Sequence, residues 1–293
     1  MNKPLLLDGT LVSREITKGI EKYTKELKVR PPKLTAILTT DNFASHTYVK
    51  RKIKACSDAG ITSQVIHLEE SPKAQLLKTI EELNNDDGVD GILIQLPLRK
   101  DHDLRAVLES VDPKKDVDGF HPINMGKLVI GDYSGFIPCT PQGILTLLNH
   151  YKIPIEGENV VIIGRSIIVG RPLALLLSQN KPGLNATVTL AHSKTHDLIK
   201  LTRSADIIVA ACGSPRLIRK EHIRQNCVLI DVGINRVDEA LCGDVHEECY
   251  PLTSAYSPVP GGIGPMTIAS LLSNTALSHA RRFNLPCEFS SVS

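Results

Sequence analysis

Short apolar runs alternate with helix-length segments along most of this chain, and that alternation leaves few folds open. Leu34–Thr39 is an apolar run ending in Thr-Thr-Asp-Asn, and Ser45–Ala59 then reads as a helix stopped by Gly60. Val65–Leu68 reads as a second strand, Lys73–Leu83 as a helix, and Gly91–Gln95 as a strand halted at Pro97. A second series follows, with strands at Val160–Ile163, Thr187–Ala191, Ile207–Ala211 and Val228–Asp231 and helical segments between the first three. Units of this length predict an α/β protein with mostly parallel sheets covered by helices. Residues 111–141 are dense in Pro, Gly and Asp, the texture of a domain junction and of a cleft. Helix signals resume from Pro141 to about Tyr151, and a last helix is expected over Met266–Arg282.

Two segments carry recognisable chemistry. The run Val160–Ile163 turns through Gly164-Arg165-Ser166-Ile167-Ile168-Val169-Gly170, which is the strand–glycine–helix context of a dinucleotide site. Ser166 replaces the usual middle glycine, and no Gly-Lys-Ser/Thr follows, so the turn is no P-loop. An NAD site commonly places a carboxylate after the next strand to hold the ribose 2′-hydroxyl. Here that strand ends in His192-Ser193-Lys194, and Arg165 adds a cation, which favours NADP. The second segment is Ser45–Lys52, where Tyr48 and Lys52 share a helix face. Such a pair can move protons if burial lowers the lysine pKa, although a solvated basic face has the same spacing. Gln95 lies at the end of a buried strand, and Asp116-Val117-Asp118-Gly119 in the junction could bind either a metal or a polar ring edge. Pro258–Pro265 is too rich in glycine and proline to be core and reads as a shaped ligand loop.

Composition narrows the classes. With 34 Lys+Arg against 32 Asp+Glu, the net charge of +2 argues against a nucleic-acid partner. Aromatics at 4%, with no Trp, leave little for base stacking. No apolar run approaches the roughly 20 residues of a membrane span, and Leu5-Leu6-Leu7 is too short for a signal peptide. Seven irregularly spaced cysteines fit a reducing cytoplasm better than a disulfide framework. Cys242, His246 and Cys249 lack a paired-cysteine motif and a fourth ligand, so no metal is expected.

Six segments in one order carry a resemblance: Ser45–Lys52 (S-x-x-Y-V-x-x-K), Gly91–Leu98 (G-I-L-I-Q-L-P-L), Lys115–Pro122 (K-D-V-D-G-F-H-P), Pro138–Gly143 (P-C-T-P-x-G), Gly164–Pro172 (G-R-S-x-x-V-G-x-P) and Pro258–Thr267 (P-V-P-G-G-I-G-P-M-T). Together they make the chain similar to the bifunctional methylenetetrahydrofolate dehydrogenase/methenyltetrahydrofolate cyclohydrolase family in its short bacterial-type form. Arg99, Arg171 and Ser257 depart from the residues common at those positions, which bears on loop shape and cofactor affinity. A short-chain dehydrogenase would place its Tyr-x-x-x-Lys pair after the glycine turn, not before it. A shikimate-dehydrogenase-like enzyme would leave Q-L-P-L and P-G-G-I-G-P-M-T unexplained, and a non-catalytic relative would not be expected to keep the reactive set whole.

The resemblance implies an N-terminal α/β substrate lobe, a C-terminal Rossmann-type domain, a folate cleft between them, and a final helix returning to the first lobe. The boundaries it implies are 1–139 with 267–293 for the catalytic lobe and 140–266 for the NADP domain. It implies oxidation of 5,10-methylenetetrahydrofolate with NADP and then hydrolysis to 10-formyltetrahydrofolate, by a cytoplasmic homodimer joined through its cofactor domains, with no membrane partner. By motif position, Lys52 would be the proton-transfer residue, oriented by Gln95, with Tyr48 beside the folate ring and Asp118 on the pterin edge. Leu96, Pro97, Pro260 and Gly261 would also meet the substrate. Gly164, Arg165, Ser166, Val169, Gly170, Pro172, His192, Ser193, Cys212, Gly213, Gly233 and Ile234 would meet the cofactor, with Arg165 and Ser193 at the 2′-phosphate.

Overall fold

The computed structural model describes residues 3–69, 71–237 and 240–287. In chain order its elements are β1 (Leu5–Leu6), α1 (Gly9–Glu26), β2 (Lys33–Leu38), α2 (Phe43–Asp58), β3 (Thr62–His67), α3 (Lys73–Asn85), β4 (Gly91–Gln95), α4 (Leu104–Glu109), α5 (Pro122–Val129) and α6 (Cys139–His150). They continue with β5 (Asn159–Ile163), α7 (Gly170–Leu177), β6 (Thr187–Ala191), α8 (Leu198–Arg203), β7 (Ile207–Ala210), β8 (Val228–Asp231), β9 (Asn235–Val237), β10 (Ala240–Cys242), β11 (Ala255–Tyr256) and α9 (Ile263–Arg282). The chain divides into two compact units, one holding 14–139 with the segment from Ile268 onward, the other holding 140–267 with the segment up to Ser13.

In the first unit, described strands pair in the order β3-β2-β4, all parallel. Successive residues of β2 point to opposite faces, so Leu34, Ala36 and Leu38 enter one core and Ile37 the other. The first core takes Ile20 from α1, Val49 and Cys56 from α2, and Leu271, Leu272 and Ala276 from α9. The second takes Leu76, Ile80 and Leu83 from α3 together with Ile92 and Ile94 of β4. Because β3 and β4 flank β2 on opposite sides, the chain reverses direction across the sheet between β2 and β4. Ligands of such sheets bind where that reversal opens a crevice at the carboxyl ends of the strands. Gln95, the last residue of β4, lies at that place.

The second unit carries the strand order β1-β11-β8-β7-β5-β6, again parallel throughout. Its reversal falls between β5 and β7, with the Gly164 turn after one strand and Cys212 after the other. A separate antiparallel pair, β10-β9, follows β8.

The division departs from the expected boundaries at the N-terminal end. β1 pairs in parallel with β11, the Leu7 N–H donates to the Tyr256 carbonyl at 2.8 Å, and the Thr10 N–H donates to the Gly261 carbonyl at 3.0 Å. These bonds tie the segment before Arg14 to the cofactor unit, which Leu5-Leu6-Leu7 was too short to reveal. Residues 111–141 also hold a helix that their composition concealed. His121 caps α5, its Nδ1 accepting from the Ile123 N–H at 3.0 Å, with Pro122 opening the helix where a missing N–H costs nothing. At the other end of the chain, α9 runs from Ile263 and delivers residues 268–282 to the first unit, as the resemblance implies.

Candidate active site

Helix α2 sends Lys52 inward. The side chain is 5% exposed, and its Nζ donates to Gln95 Oε1 at 3.1 Å. The Gln95 amide nitrogen donates in turn to the Leu96 carbonyl at 2.8 Å, so both ends of the carboxamide are held. Tyr48, one turn before Lys52, places its ring 4.8 Å from the lysine nitrogen. The peptide bond from Leu96 to Pro97 is cis.

Burial is the main influence on Lys52 and lowers its pKa, because an ammonium loses water there without full compensation. Asp118 opposes that shift and is the chief anion acting on the amine. Burial also raises the Asp118 pKa, against the attraction of Lys52 and a hydrogen bond from Cys139. The site therefore suppresses charge on both partners. Cys139 is held well above the ordinary thiol range by burial, so it stays protonated; it donates to the Val117 carbonyl at 3.3 Å. Cys56, pushed up to about 12 by burial, is a second protonated thiol near the lysine.

The two aspartates of the Asp116–Asp118 segment have different work, which the sequence left open. Asp116 accepts from the Phe120 and His121 N–H groups at 3.2 and 2.7 Å and from Asn124 Nδ2 at 2.8 Å. Its oxygens are thus committed to holding the loop, and burial raises its pKa to about 7. Asp118 is the one that faces Lys52. Its loop is anchored by Asn274 of α9, whose Nδ2 donates to the Val117 carbonyl at 2.8 Å and the Ile137 carbonyl at 3.2 Å. Among the described residues no group of three His, Cys, Asp or Glu is placed to hold a metal. Cys249 instead donates to the Ile218 carbonyl at 3.4 Å, and His246 Nδ1 accepts from the Glu248 N–H at 3.3 Å.

In the second unit, the turns after β5, β6, β7 and β8 carry Gly164–Gly170, His192 and Ser193, Cys212 and Gly213, and Gly233 and Ile234. Parallel pairing sets these turns side by side at one edge of the sheet. Gly164 has φ +120°, and a Cβ on Gly170 would lie 1.9 Å from the Gly164 carbonyl oxygen, so this turn closes only without side chains. Ser166 compensates for the absent middle glycine: its hydroxyl accepts from the Val169 N–H at 3.1 Å and closes the turn onto α7. The donor set suits an NADP 2′-phosphate. Arg165, Ser193 and Lys194 are exposed there. Asp197, the first carboxylate after β6, accepts from the Lys200 N–H at 3.0 Å and caps α8.

Two family models match the chain. One, described as the catalytic domain of tetrahydrofolate dehydrogenase/cyclohydrolase, covers residues 7–118, and the other, its NAD(P)-binding domain, covers 138–283. The chain belongs to the tetrahydrofolate dehydrogenase/cyclohydrolase family. Bifunctional protein FolD of Aquifex aeolicus is 47% identical, over 95% of this chain and 96% of that protein. The crystal structure of the bifunctional FolD enzyme from Campylobacter jejuni is 47% identical with a TM-score of 0.91, covering 94% of this chain and 99% of that one. The Trypanosoma brucei enzyme, solved with NADP and an inhibitor, is 33% identical with a TM-score of 0.90, covering 97% and 99%.

Lys52, Tyr48, Gln95, Leu96, Pro97 and Asp118 all fall in the first unit, and Lys52 joins Tyr48, Gln95 and Asp118 in one cluster. Pro260 and Gly261 fall in the second, on the loop leading into α9. Arg99 donates its N–H to Thr39 Oγ1 at 3.2 Å, the Arg171 N–H donates to the Ser166 carbonyl at 3.1 Å, and buried Ser257 accepts from the Asp231 N–H at 2.9 Å, so all three departures from the family pattern are hydrogen-bonded. Cys139 was visible only as part of Pro-Cys-Thr-Pro, and Asn274 carried no signal in the sequence. Gly170→Ala is expected to lower stability by about 1–3 kcal/mol through overpacking and to weaken NADP binding. Thermal denaturation and cofactor titration check this; an unchanged melting temperature with normal NADP affinity would remove the close-approach argument.

Proposed function

We infer that this chain carries out both reactions of its family, oxidising 5,10-methylenetetrahydrofolate to the 5,10-methenyl form with NADP and hydrolysing that product to 10-formyltetrahydrofolate. The observation that carries the mechanism is a buried lysine with a lowered pKa, held by Gln95 at 3.1 Å. NADP, when bound, supplies the hydride acceptor. Arg165, Ser193 and the Gly164–Gly170 turn are assigned to its phosphates.

Loss of hydride leaves a cationic methenyl carbon, and a fixed ammonium beside it would oppose its formation. A desolvated Lys52 is largely relieved of that charge. In the second reaction water attacks the same carbon while the neutral amine takes the water's proton. The resulting ammonium then donates a proton to the ring nitrogen as its bond to that carbon breaks, and one proton is released overall. Gln95 accepts one Lys52 hydrogen, which aims the remaining lone pair. Asp118 is assigned to the pterin edge and Tyr48 to the face of the folate ring.

The test is a spectrophotometric assay supplying 5,10-methylenetetrahydrofolate with NADP or NAD, following reduced cofactor and methenyl species separately. Reduced cofactor without methenyl accumulation is expected, faster with NADP. Folded protein with no turnover on either cofactor would overturn the reading. The pH dependence follows from the sign of the shift. The base is active when deprotonated, so hydrolysis of supplied methenyltetrahydrofolate, corrected for the uncatalysed rate, should rise with pH through a pKa below the ordinary lysine value. A rate independent of pH across that limb would exclude Lys52 as the base.

The cysteines are thiols, consistent with a cytoplasmic enzyme, and no described helix is long and apolar enough to cross a membrane. A homodimer through the cofactor units is proposed from the family resemblance, with the exposed Leu241 of β10 assigned to the partner-facing surface. Light scattering at the enzyme's working concentration tests it, and a monomer mass would refute it.

A further inference from the structure

Two buried carboxylates behind the cofactor-side turns have no part in the chemistry above. Asp244 is fully buried, and its Oδ2 accepts from two consecutive backbone donors, the Cys212 N–H at 2.7 Å and the Gly213 N–H at 2.9 Å. Its Oδ1 accepts from Asn235 Nδ2 at 2.8 Å. Asp231, at the end of β8, accepts from the N–H groups of Gly233, Asp244 and Val245, each at 3.0 Å. One carboxylate thus shapes the turn after β7 and the other the turn after β8, and Asp244 is bonded in addition to Asn235 at the start of β9 and, through its N–H, to Asp231.

Successive backbone N–H groups around a left-handed residue form a concave anion site, and Gly213 has φ +65°. A pyrophosphate could use such donors, but here Asp244 already occupies them. The turn after β7 therefore cannot bind the dinucleotide through the Cys212 and Gly213 N–H groups. The packing leaves no slack: a Cβ on Gly233 would lie 2.5 Å from the Asp244 backbone and carboxyl group, and one on Gly243 would lie 1.7 Å from Asp231 Oδ2. The segment is strapped again by the Arg216 N–H to the Gly243 carbonyl at 3.1 Å and the Ile218 N–H to the Asp244 carbonyl at 2.9 Å.

We propose that Asp244 is a positioning residue for the dinucleotide, holding the Cys212–Gly213 turn in its binding shape and coupling it, through Asn235 and Asp231, to the Gly233–Ile234 turn. This rests on the assignment of those turns to NADP. Asp244 belongs to the second unit and the Lys52 cluster to the first, so its loss should separate the two activities.

The experiment compares wild type with Asp244→Asn and Asn235→Ala, measuring KM and kcat for NADP-dependent oxidation and, without cofactor, hydrolysis of supplied methenyltetrahydrofolate. Asp244→Asn keeps the shape but removes the charge from the two N–H bonds and sets its amide against that of Asn235. The expected result is a KM for NADP raised at least about tenfold, the equivalent of ~1.4 kcal/mol, with methenyl hydrolysis within about twofold of wild type. Asn235→Ala, which keeps the carboxylate, should raise the KM by a smaller factor in the same direction and guards against misfolding of the first variant. Unchanged KM in both variants would overturn the proposal. So would a parallel fall of both activities at unchanged KM, which marks a purely structural role. Wild-type protein that fails to turn over with NADP would instead overturn the underlying assignment.

Discussion

Lys52→Met should abolish hydrolysis of methenyltetrahydrofolate, with a loss of at least about 10³-fold, within the range of general acid–base contributions. Methionine keeps the length and apolar stem of lysine and removes the proton acceptor. The dehydrogenase should fall as well, because Lys52, Gln95 and Tyr48 form one cluster, with Gln95 Oε1 left without its 3.1 Å donor. NADP binding is assigned to the other unit, which holds the NAD(P)-binding domain, and should stay near wild type. Equilibrium cofactor titration and a stopped assay on methenyltetrahydrofolate measure the two quantities. Loss of NADP binding in the variant would mean that Lys52 holds the structure and does not move protons.

The same variant should change the pH dependence of stability. The folded lysine has a lowered pKa, so between that value and the ordinary lysine range the unfolded chain carries a proton that the folded chain has released. Stability of the wild type therefore rises with pH across that window through this group, and Lys52→Met should flatten the rise. Denaturant midpoints at a series of pH values would show it, and identical slopes for both proteins would remove the desolvation argument.

Arg165→Ala should raise the dissociation constant for NADP by about 10- to 100-fold, the scale of a charge-assisted bond of roughly 1.5–3 kcal/mol. NAD lacks the 2′-phosphate and should move by less than about threefold. The exposed Arg165 guanidinium lies in the Gly164–Gly170 turn, and the acid nearest in sequence after β6 is committed to capping α8. Titrating both cofactors against wild type and variant gives the ratio directly. Equal weakening of the two would place Arg165 in shaping the turn and take the 2′-phosphate away from it.

Strands β4, β6 and β8 were legible to the residue, β4 and β8 as short apolar runs edged by Gly, Pro or Asp and β6 as the alternating Thr-Val-Thr-Leu-Ala. Helix α1 was not singled out, although Ile16, Ile20 and Tyr23 form a stripe that packs on the first core. α5 was hidden by the Pro and Gly around it. The site was legible to the extent that one element carried it: Tyr48 and Lys52 a turn apart, Gln95 at a strand end, the glycine turn after β5. Partners contributed from a distance were silent, as with Asn274 acting on the Val117 carbonyl across 157 positions.

The chain's own pattern was enough to determine two α/β series, a Tyr48–Lys52 pair on one helix face and a glycine turn whose neighbouring cations favour NADP. Periodicity, glycine placement and charge act within a few residues, so they are written locally. Strand order, the recruitment of β1 to the sheet of β11, and the different duties of Asp116 and Asp118 were decided by tertiary structure. So was the lowered pKa of Lys52, because desolvation depends on what the rest of the chain packs around an amine.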